Sequence, residues 1–312
     1  MEIIRGPINL KPRHQGSVVT IGNFDGVHRG HQAMLKQIRE KAEELGVPSM
    51  LICFEPQPRE FFDEFNAPAR LTRFREKVEL LEEHGLDLVF CFKFNDKTRS
   101  MTPERFVEFL TVDIGVSALF VGDDFRFGHD RSGDFAQLQE AGEKYGFEVT
   151  NLHTLTYEDI RVSSTRIREC LAAGDFELAE KMLGHPYSII GKVVHGNQLG
   201  NKLEAPTANI QLHRYRAPID GVYAVEVERL NGRVPGVANV GVRPTLETKT
   251  PVPILEVHIF DFAERIYGRC VKVIFRHKIR EEKKFDNLDQ LKTAIHEDIQ
   301  SARNYFATRA AG

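Results

Sequence analysis

The run Gly22-Asn23-Phe24-Asp25-Gly26-Val27-His28-Arg29-Gly30-His31 gathers glycines and imidazoles in one short stretch. Glycines bring backbone N–H groups close to a ligand, and a helix that starts in such a loop favours an anion at its N-terminus. The pattern therefore reads as a phosphate cradle. It is built without a G-x-x-x-x-G-K-[ST] loop, which occurs nowhere in the chain. On the residues alone, a metal-binding pair or two surface histidines is the other reading. No further His/Cys/Asp cluster stands beside them to complete a metal site. A second candidate is Val162-Ser163-Ser164-Thr165-Arg166-Ile167-Arg168. Its hydroxyls at a helix start can hold phosphate oxygens, and Arg168 is a fixed planar cation for the same oxygens. Taken alone, Ser163 to Thr165 is also an ordinary helix cap. A third candidate lies further along, where Gly191, Gly196 and Gly200 allow close backbone approach ahead of Pro206-Thr207-Ala208-Asn209.

Such groups need a frame. The chain has 312 residues, 41% hydrophobic and 28% charged, an ordinary globular balance that excludes a disordered chain, a collagen-like fibre and a membrane bundle. No stretch approaches the roughly 18 apolar residues of a spanning helix. Met1 to Lys11 carries no apolar core of a signal peptide. A net charge of −3 gives no general attraction to nucleic acid or anionic lipid, and no protein partner is implied. Cys53, Cys91, Cys170 and Cys270 are far apart and form no C-x-x-C pair, so they read as reduced core thiols of a cytoplasmic protein.

Up to residue 185 short apolar strands alternate with helical patterns. Strands are expected at Ser17–Gly22, Pro48–Phe54, Asp87–Phe92, Ala118–Gly122 and Phe147–Thr150. Helices are expected at His31–Leu45, Thr72–His84, from Thr102-Pro103 onward, and at Gly133–Tyr145. Continuously apolar strands separated by helices argue for a parallel sheet covered on both faces, with ligands at the carboxyl ends of the strands. Two short helices follow, Ser164–Leu171 and Phe176–Leu183, before Gly184-His185-Pro186 breaks the chain. From Tyr187 to Ile279 strands succeed one another without helices, at Ser188–Val194, Gly221–Val227, Val237–Val240, Ile254–Ile259 and Val271–Phe275. That rhythm predicts an antiparallel barrel. Leu288, Leu291, Ile295 and Ile299 then make one apolar stripe of a terminal helix. The expected domains are 1–185 and 186–312.

The H-x-G-H of His28 to His31, followed by the Ser/Thr-rich turn ending at Arg168, resembles the nucleotidyltransferase superfamily that joins ATP or CTP to a phosphorylated partner. Val121–Gly128 after the fourth expected strand and Phe54–Pro58 after the second narrow the likeness. Together they resemble the amino-terminal half of the bacterial bifunctional riboflavin kinase/FAD synthetases. The resemblance implies a Rossmann-like nucleotidyltransferase domain followed by a riboflavin kinase barrel with a C-terminal helix. It implies two ATP-dependent steps, riboflavin to FMN and FMN to FAD with release of pyrophosphate.

In the first domain it implies that His28, His31 and Arg168 stabilise charge on the transferring phosphate. ATP phosphates would lie against Gly22, Asn23, Phe24, Asp25, Gly26, Gly30, Ser163, Ser164 and Thr165. The flavin would meet Phe54, Pro56, Asp124, Phe125, Arg126 and Phe127, although core packing also accounts for Phe125 and Phe127. In the second domain Gly191, Gly196 and Gly200 would approach ATP. Thr207 and Asn209 would offer hard oxygens to Mg²⁺–ATP. Glu256, in Leu255–His258, would be the base for the ribityl 5′-hydroxyl, a carboxylate aimed into the barrel mouth; strand alternation also allows it to face solvent. Arg280–Phe285 completes the likeness.

One stretch departs from the family pattern. Asn201 stands in place of a cation, Glu204 in place of a glycine and Ala205 in place of a large apolar residue. A carboxylate near ATP phosphates is repulsive, so a weakened or silent kinase barrel, leaving only FAD synthesis, is the alternative reading.

Overall fold

The computed structural model describes residues 1–152, 155–158, 160–196, 205–230, 232–243 and 252–310. The chain forms two compact units, Met1–Pro68 with Thr72–Ser163, and Ala69–Leu71 with Ser164–Gly312.

The first unit contains β1 (Glu2–Arg5), β2 (Val18–Ile21), α1 (Arg29–Leu45), β3 (Ser49–Glu55), α2 (Pro58–Phe62), α3 (Phe74–Glu83), β4 (Leu88–Lys93), α4 (Asp96–Arg99), α5 (Pro103–Glu108), β5 (Ala118–Gly122), α6 (Phe135–Tyr145) and β6 (Glu148–Leu152). A two-residue pair, β7 (Thr156–Tyr157) and β8 (Ile160–Arg161), follows. The main sheet is parallel throughout, in the order β1-β4-β3-β2-β5-β6. Alternate residues of each strand supply two apolar layers. Val18, Leu51, Val89 and Phe120 pack with Leu35, Ile38 and Ala42 of α1 and Leu81 of α3. Val19, Ile52, Phe90 and Leu119 pack with Phe106 of α5 and Leu138 of α6. The five expected strands are present, and β1 is an addition at the sheet edge. It escaped expectation because it is short and buries only Ile4, with Ile3 and Arg5 on either side exposed.

The second unit begins with α7 (Ser164–Ala172) and α8 (Phe176–Leu183). It continues through β9 (Ser188–Val194), β10 (Ala208–Ile210), β11 (Gly221–Leu230), β12 (Gly232–Arg243), β13 (Val252–Ile259) and β14 (Cys270–Arg280) to α9 (Leu288–Ala310). The six strands close into an antiparallel barrel in the order β10-β13-β12-β11-β14-β9. Tyr223, Val225, Val240, Leu255, Val257, Val273 and Phe275 are buried and fill it. Outside the barrel, Val222, Ala224 and Val237 pack with Ala302 and Ile299 of α9. Leu288, first of the expected apolar stripe, is instead exposed. A bidentate pair between Arg280 and Asp298, at 2.8 and 2.7 Å, ties the end of β14 to α9.

The short strand β10 includes Ala208 and Asn209, which lie between the expected strands. It is admitted by Gly191 of β9, where a Cβ would run into the Ile210 side chain and lie 2.6 Å from the Gln211 carbonyl oxygen. Backbone has no rotamer with which to yield. Gly191→Ala is therefore expected to destabilise the barrel by about 1–3 kcal/mol, the usual cost of overpacking. Denaturant melting of the variant checks this; an unchanged midpoint would show that β10 can move aside.

Candidate active sites

In the first unit the strand order reverses between β2 and β5, since the chain proceeds from β2 to β3 and β4 on one side and returns to β5 on the other. Such a reversal opens a crevice beyond the carboxyl ends of the two strands. The loop Gly22–His28 leaves β2 there, and the segment beginning at Asp123 leaves β5.

The loop is tightly wound. Phe24 and Val27 both have positive φ, 47° and 40°, a conformation that side chains rarely adopt. Something must hold it. Asp25 is buried, and its Oδ1 accepts from the Thr72 backbone N–H at 2.9 Å and from the Thr72 hydroxyl at 3.3 Å. The same hydroxyl accepts from the Gly26 N–H at 2.9 Å. Asp25 thus braces the loop from behind. Gly30 has a comparable internal reason, because a Cβ there would press on the His28 ring at 3.2 Å.

His28 is the N-cap of α1, its Nδ1 accepting from the His31 N–H at 3.4 Å. That bond needs the Nδ1 lone pair, so in the neutral ring the proton sits on Nε2. The His28 and His31 rings stack at 3.6 Å, and Phe24 stacks on His31 at 4.4 Å. Burial, then the nearby charges of His28 and Lys77, hold His31 well below the usual histidine range. His31 is therefore uncharged at neutral pH.

A cavity of about 510 Å³ lies alongside, lined by Ile21, Phe54, Phe92, Phe94, Phe125 and Phe127 among others. Its volume is that of a small-molecule pocket. Phe54 stacks on Phe92 and Phe125 on Phe127, at 5.6 and 5.9 Å, and parallel aromatic faces suit a flat heteroaromatic ring. Arg126 also lines the cavity, ion-paired with Asp134 at 3.2 Å. Pro56 and Asp124 are not among its lining residues; Asp124 lies 4.0 Å from Arg161, with both side chains largely exposed.

Ser163 is the last residue of the first unit, while Ser164, Thr165 and Arg168 open α7 in the second. Arg168 is half-buried and donates from Nε to the Ala69 carbonyl at 2.6 Å.

In the barrel, strand pairing sets three polar residues side by side. Asn209 of β10 pairs in register with Glu256 of β13, and Glu256 pairs with Asn239 of β12. Directly paired residues point to one face. That face is the outer one, because the neighbours Leu255 and Val257 fill the barrel. Glu256 therefore does not enter the barrel mouth. It lines a cleft of about 220 Å³ on the outer face, with Thr207, Asn239, Arg280, Phe285 and Asp298. His258 Nδ1 reaches the Pro206 carbonyl at 2.9 Å and ties β13 to the segment carrying Thr207. A Cβ at Gly196 would collide with the Asn209 carboxamide, so this glycine makes room for that side chain. Gly200, Asn201 and Glu204 lie outside the described residues; Ala205 is buried and lines the cleft.

Thr72, Lys77, Asn239, Arg280 and Asp298 were not singled out from sequence. A signal existed only for Asn239, a polar residue between Ala238 and Val240 on a strand that otherwise alternates apolar residues.

An α/β nucleotide-handling unit whose phosphate loop sits at a strand-order reversal, joined to a six-stranded barrel with a carboxylate-lined cleft, defines a two-site nucleotide-dependent transferase. The FAD synthetase family profile matches residues 10–166, and the riboflavin kinase profile matches residues 183–306. The chain is 51% identical to the bifunctional riboflavin kinase/FMN adenylyltransferase of Pseudomonas fluorescens over 99% of both chains. It is 48% identical to the Escherichia coli K12 protein of that name over 98% of both. A crystal structure called a macrolide-efflux protein, from Streptococcus pneumoniae, superposes with a TM-score of 0.79 at 30% identity, covering 97% of this chain and 99% of that one. That name stays with that protein; among the described residues here no helix is long and apolar enough to cross a membrane. The chain belongs to the bifunctional riboflavin kinase/FMN adenylyltransferases. Its substrates are riboflavin, FMN and ATP, and its products FMN and FAD.

The uncharged state of His31 has a consequence for stability. Unfolded, the imidazole takes a proton near its ordinary value of 6.5; folded, it does so only at much lower pH. Below pH 6.5 the unfolded chain binds more protons, so stability is lost as pH falls. His31→Phe keeps a stacked ring and removes the proton site. The loss of melting temperature of the first unit between pH 7.5 and 5.5 is expected to be smaller in the variant. Equal losses would contradict a neutral buried His31.

Proposed function

We propose that the two reactions are carried by separate residue sets. In adenylyl transfer an FMN phosphate oxygen attacks the α-phosphorus of ATP, and the bond to pyrophosphate breaks. His28 and His31 donate hydrogen bonds to phosphate oxygens, and Arg168 supplies the fixed positive charge. Gly22, Asn23, Phe24, Gly26, Gly30, Ser163, Ser164 and Thr165 offer backbone or hydroxyl groups to the ATP phosphates. Asp25 contributes by fixing the loop. The isoalloxazine ring lies against Phe54, Phe125 and Phe127, with Arg126, Asp124 and Pro56 around it. The observation that carries this reading is the His28–His31 stack capping α1 at the strand-order reversal.

In the kinase step the riboflavin 5′-hydroxyl oxygen attacks the γ-phosphorus of ATP, its proton passes to Glu256, and ADP leaves. The carboxylate is suited to this by lining a cleft rather than the packed barrel interior. Thr207 and Asn209 carry hydroxyl and amide oxygens, one on the Glu256 cleft and one in register with Glu256, and these hard donors fit Mg²⁺. When bound there with ATP, Mg²⁺ neutralises phosphate charge. Gly191 and Gly196, expected to approach the nucleotide, instead give that space to β10 and the Asn209 side chain, which leaves the close approach to Gly200. We take residues 1–185 and 186–312 as the two functional halves and place the enzyme in the cytoplasm, in keeping with its four free thiols.

Losing one donor to a developing oxyanion typically costs about 10²–10³ in rate. His28→Ala is expected to slow FAD formation from FMN by that factor and to leave FMN formation from riboflavin intact, as read by chromatography of the flavins. Equal loss of both activities would refute separate sites.

A further inference from the structure

The loop between β2 and α1 has positive φ at Phe24, Gly26 and Val27, three of four consecutive residues. Phe24 and Val27 are buried in the apolar layer on that side of the sheet. Such burial holds the loop down but gives it no direction, because apolar contact is non-directional. Hydrogen bonds supply the direction. One comes from Gln32 of α1, whose carboxamide donates to the Val27 carbonyl at 2.8 Å. Gln32 belongs to the helix that the loop opens, so it moves with the loop.

Thr72 is placed differently. It lies on the connection from β3 to β4, 46 positions beyond Gly26. β3 is the parallel neighbour of β2, so this connection and the loop leave adjacent strands at the same end of the sheet. Thr72 is buried, and its hydroxyl is used in both senses. Oγ1 accepts from the Gly26 N–H at 2.9 Å and donates to Asp25 Oδ1 at 3.3 Å. The Thr72 backbone N–H donates to the same carboxylate oxygen at 2.9 Å. A hydroxyl has one hydrogen, so its donation to Asp25 leaves a lone pair facing Gly26 and fixes the polarity of the arrangement. Three hydrogen bonds thus join one residue to two consecutive residues of the loop.

The ground under Thr72 is firm. It directly precedes Arg73, the N-cap of α3. There the Glu76 carboxylate accepts from the Arg73 N–H at 2.6 Å, and the Lys77 N–H donates to the Arg73 carbonyl at 2.8 Å. The Lys77 side chain is completely buried, with Nζ 3.6 Å from Glu55 Oε1 at the end of β3. The start of α3 is therefore tied to the sheet, and Thr72 passes that fixed position to Gly26, two residues before His28. We propose that Thr72 is a positioning residue for adenylyl transfer, a buried hydroxyl that acts through Asp25 and Gly26 to set where His28 caps α1 and meets the transferring phosphate. The proposal rests on His28 acting in FAD formation, as proposed above.

The test uses the full chain with Thr72→Val, which removes the hydroxyl and keeps the shape, and with Thr72→Ser, which keeps the hydroxyl. FAD formation is measured over ranges of FMN and ATP, and thermal melting reports the folded fraction. A small misplacement at a reacting group costs up to about 10²-fold, so Thr72→Val is expected to lower kcat for FAD formation by about 10- to 100-fold. The KM for FMN is expected to stay within about twofold, the pattern of an interaction made in the transition state. FMN formation from riboflavin is expected to be unchanged, and Thr72→Ser is expected to restore FAD formation. Where valine does not fold at this buried position, Thr72→Ala removes the hydroxyl without the bulk and is read in the same way. A cycle with His28→Ala tests the route: acting through His28, Thr72→Val adds little further loss in the double variant. A lowered melting temperature with kcat for FAD unchanged, or losses that multiply in the double variant, would overturn the proposal. If His28→Ala itself leaves FAD formation unchanged, the role given to His28 fails and the proposal with it. If His28→Ala slows FAD formation and the Thr72 variants do not, only the positioning role fails.

Discussion

The reversal of strand order between β2 and β5 is the constraint on which the first unit depends. Where neighbouring parallel strands send their connections to opposite sides, the ground beyond their carboxyl ends is left open. The sheet itself is apolar on both faces and offers nothing to a polyphosphate. All the polar chemistry must then come from the connections, and the one after β2 is bent into positive φ at Phe24 and Val27 to supply it. Strain of that kind persists only where the surroundings over-determine it. Thr72 does so, bonding to both Asp25 and Gly26, and the ring stack of Phe24, His31 and His28 closes the other side. The acidic residue of the loop thus has a structural role: Asp25 holds Thr72.

The barrel solves a different problem by pairing register. Six strands close on a core of aliphatic and aromatic side chains, which leaves the alternate residues of each strand facing outward. Over part of that outer face α9 covers Val222, Ala224 and Val237. Where the cover is incomplete, the row Asn209–Glu256–Asn239 borders a cleft. Glu256 is placed by hydrogen-bonded neighbours on both sides, on a strand rather than a loop, which limits its wandering. The Arg280–Asp298 pair fixes the helix that forms the opposite wall.

Much of this was legible in sequence, and the limits have physical causes. The four inner parallel strands announce themselves because both faces are apolar, and the H-x-G-H of His28 to His31 is a local pattern whose parts are neighbours in the chain. β1 and β10 are too short for periodicity to register. Thr72, Lys77 and Asn239 acquire meaning only through partners 46, 22 and 17 positions away. The direction of Glu256 depended on which face of β13 the barrel would fill, and Leu255 and Val257 decide that only once the strands are paired. The terminal stripe was read one position too early, at Leu288, because a helix end extends beyond the surface it packs on.

The central claim is that Glu256 serves the kinase reaction alone, in a cleft of its own. Its most direct test is the flavin balance of Glu256→Gln, fed in parallel with riboflavin plus ATP and with FMN plus ATP and resolved by chromatography. The account predicts no FMN and no FAD from riboflavin, with FAD from FMN at the unmodified rate. FMN made from riboflavin at the unmodified rate, or failure of both reactions in a folded protein, would contradict it.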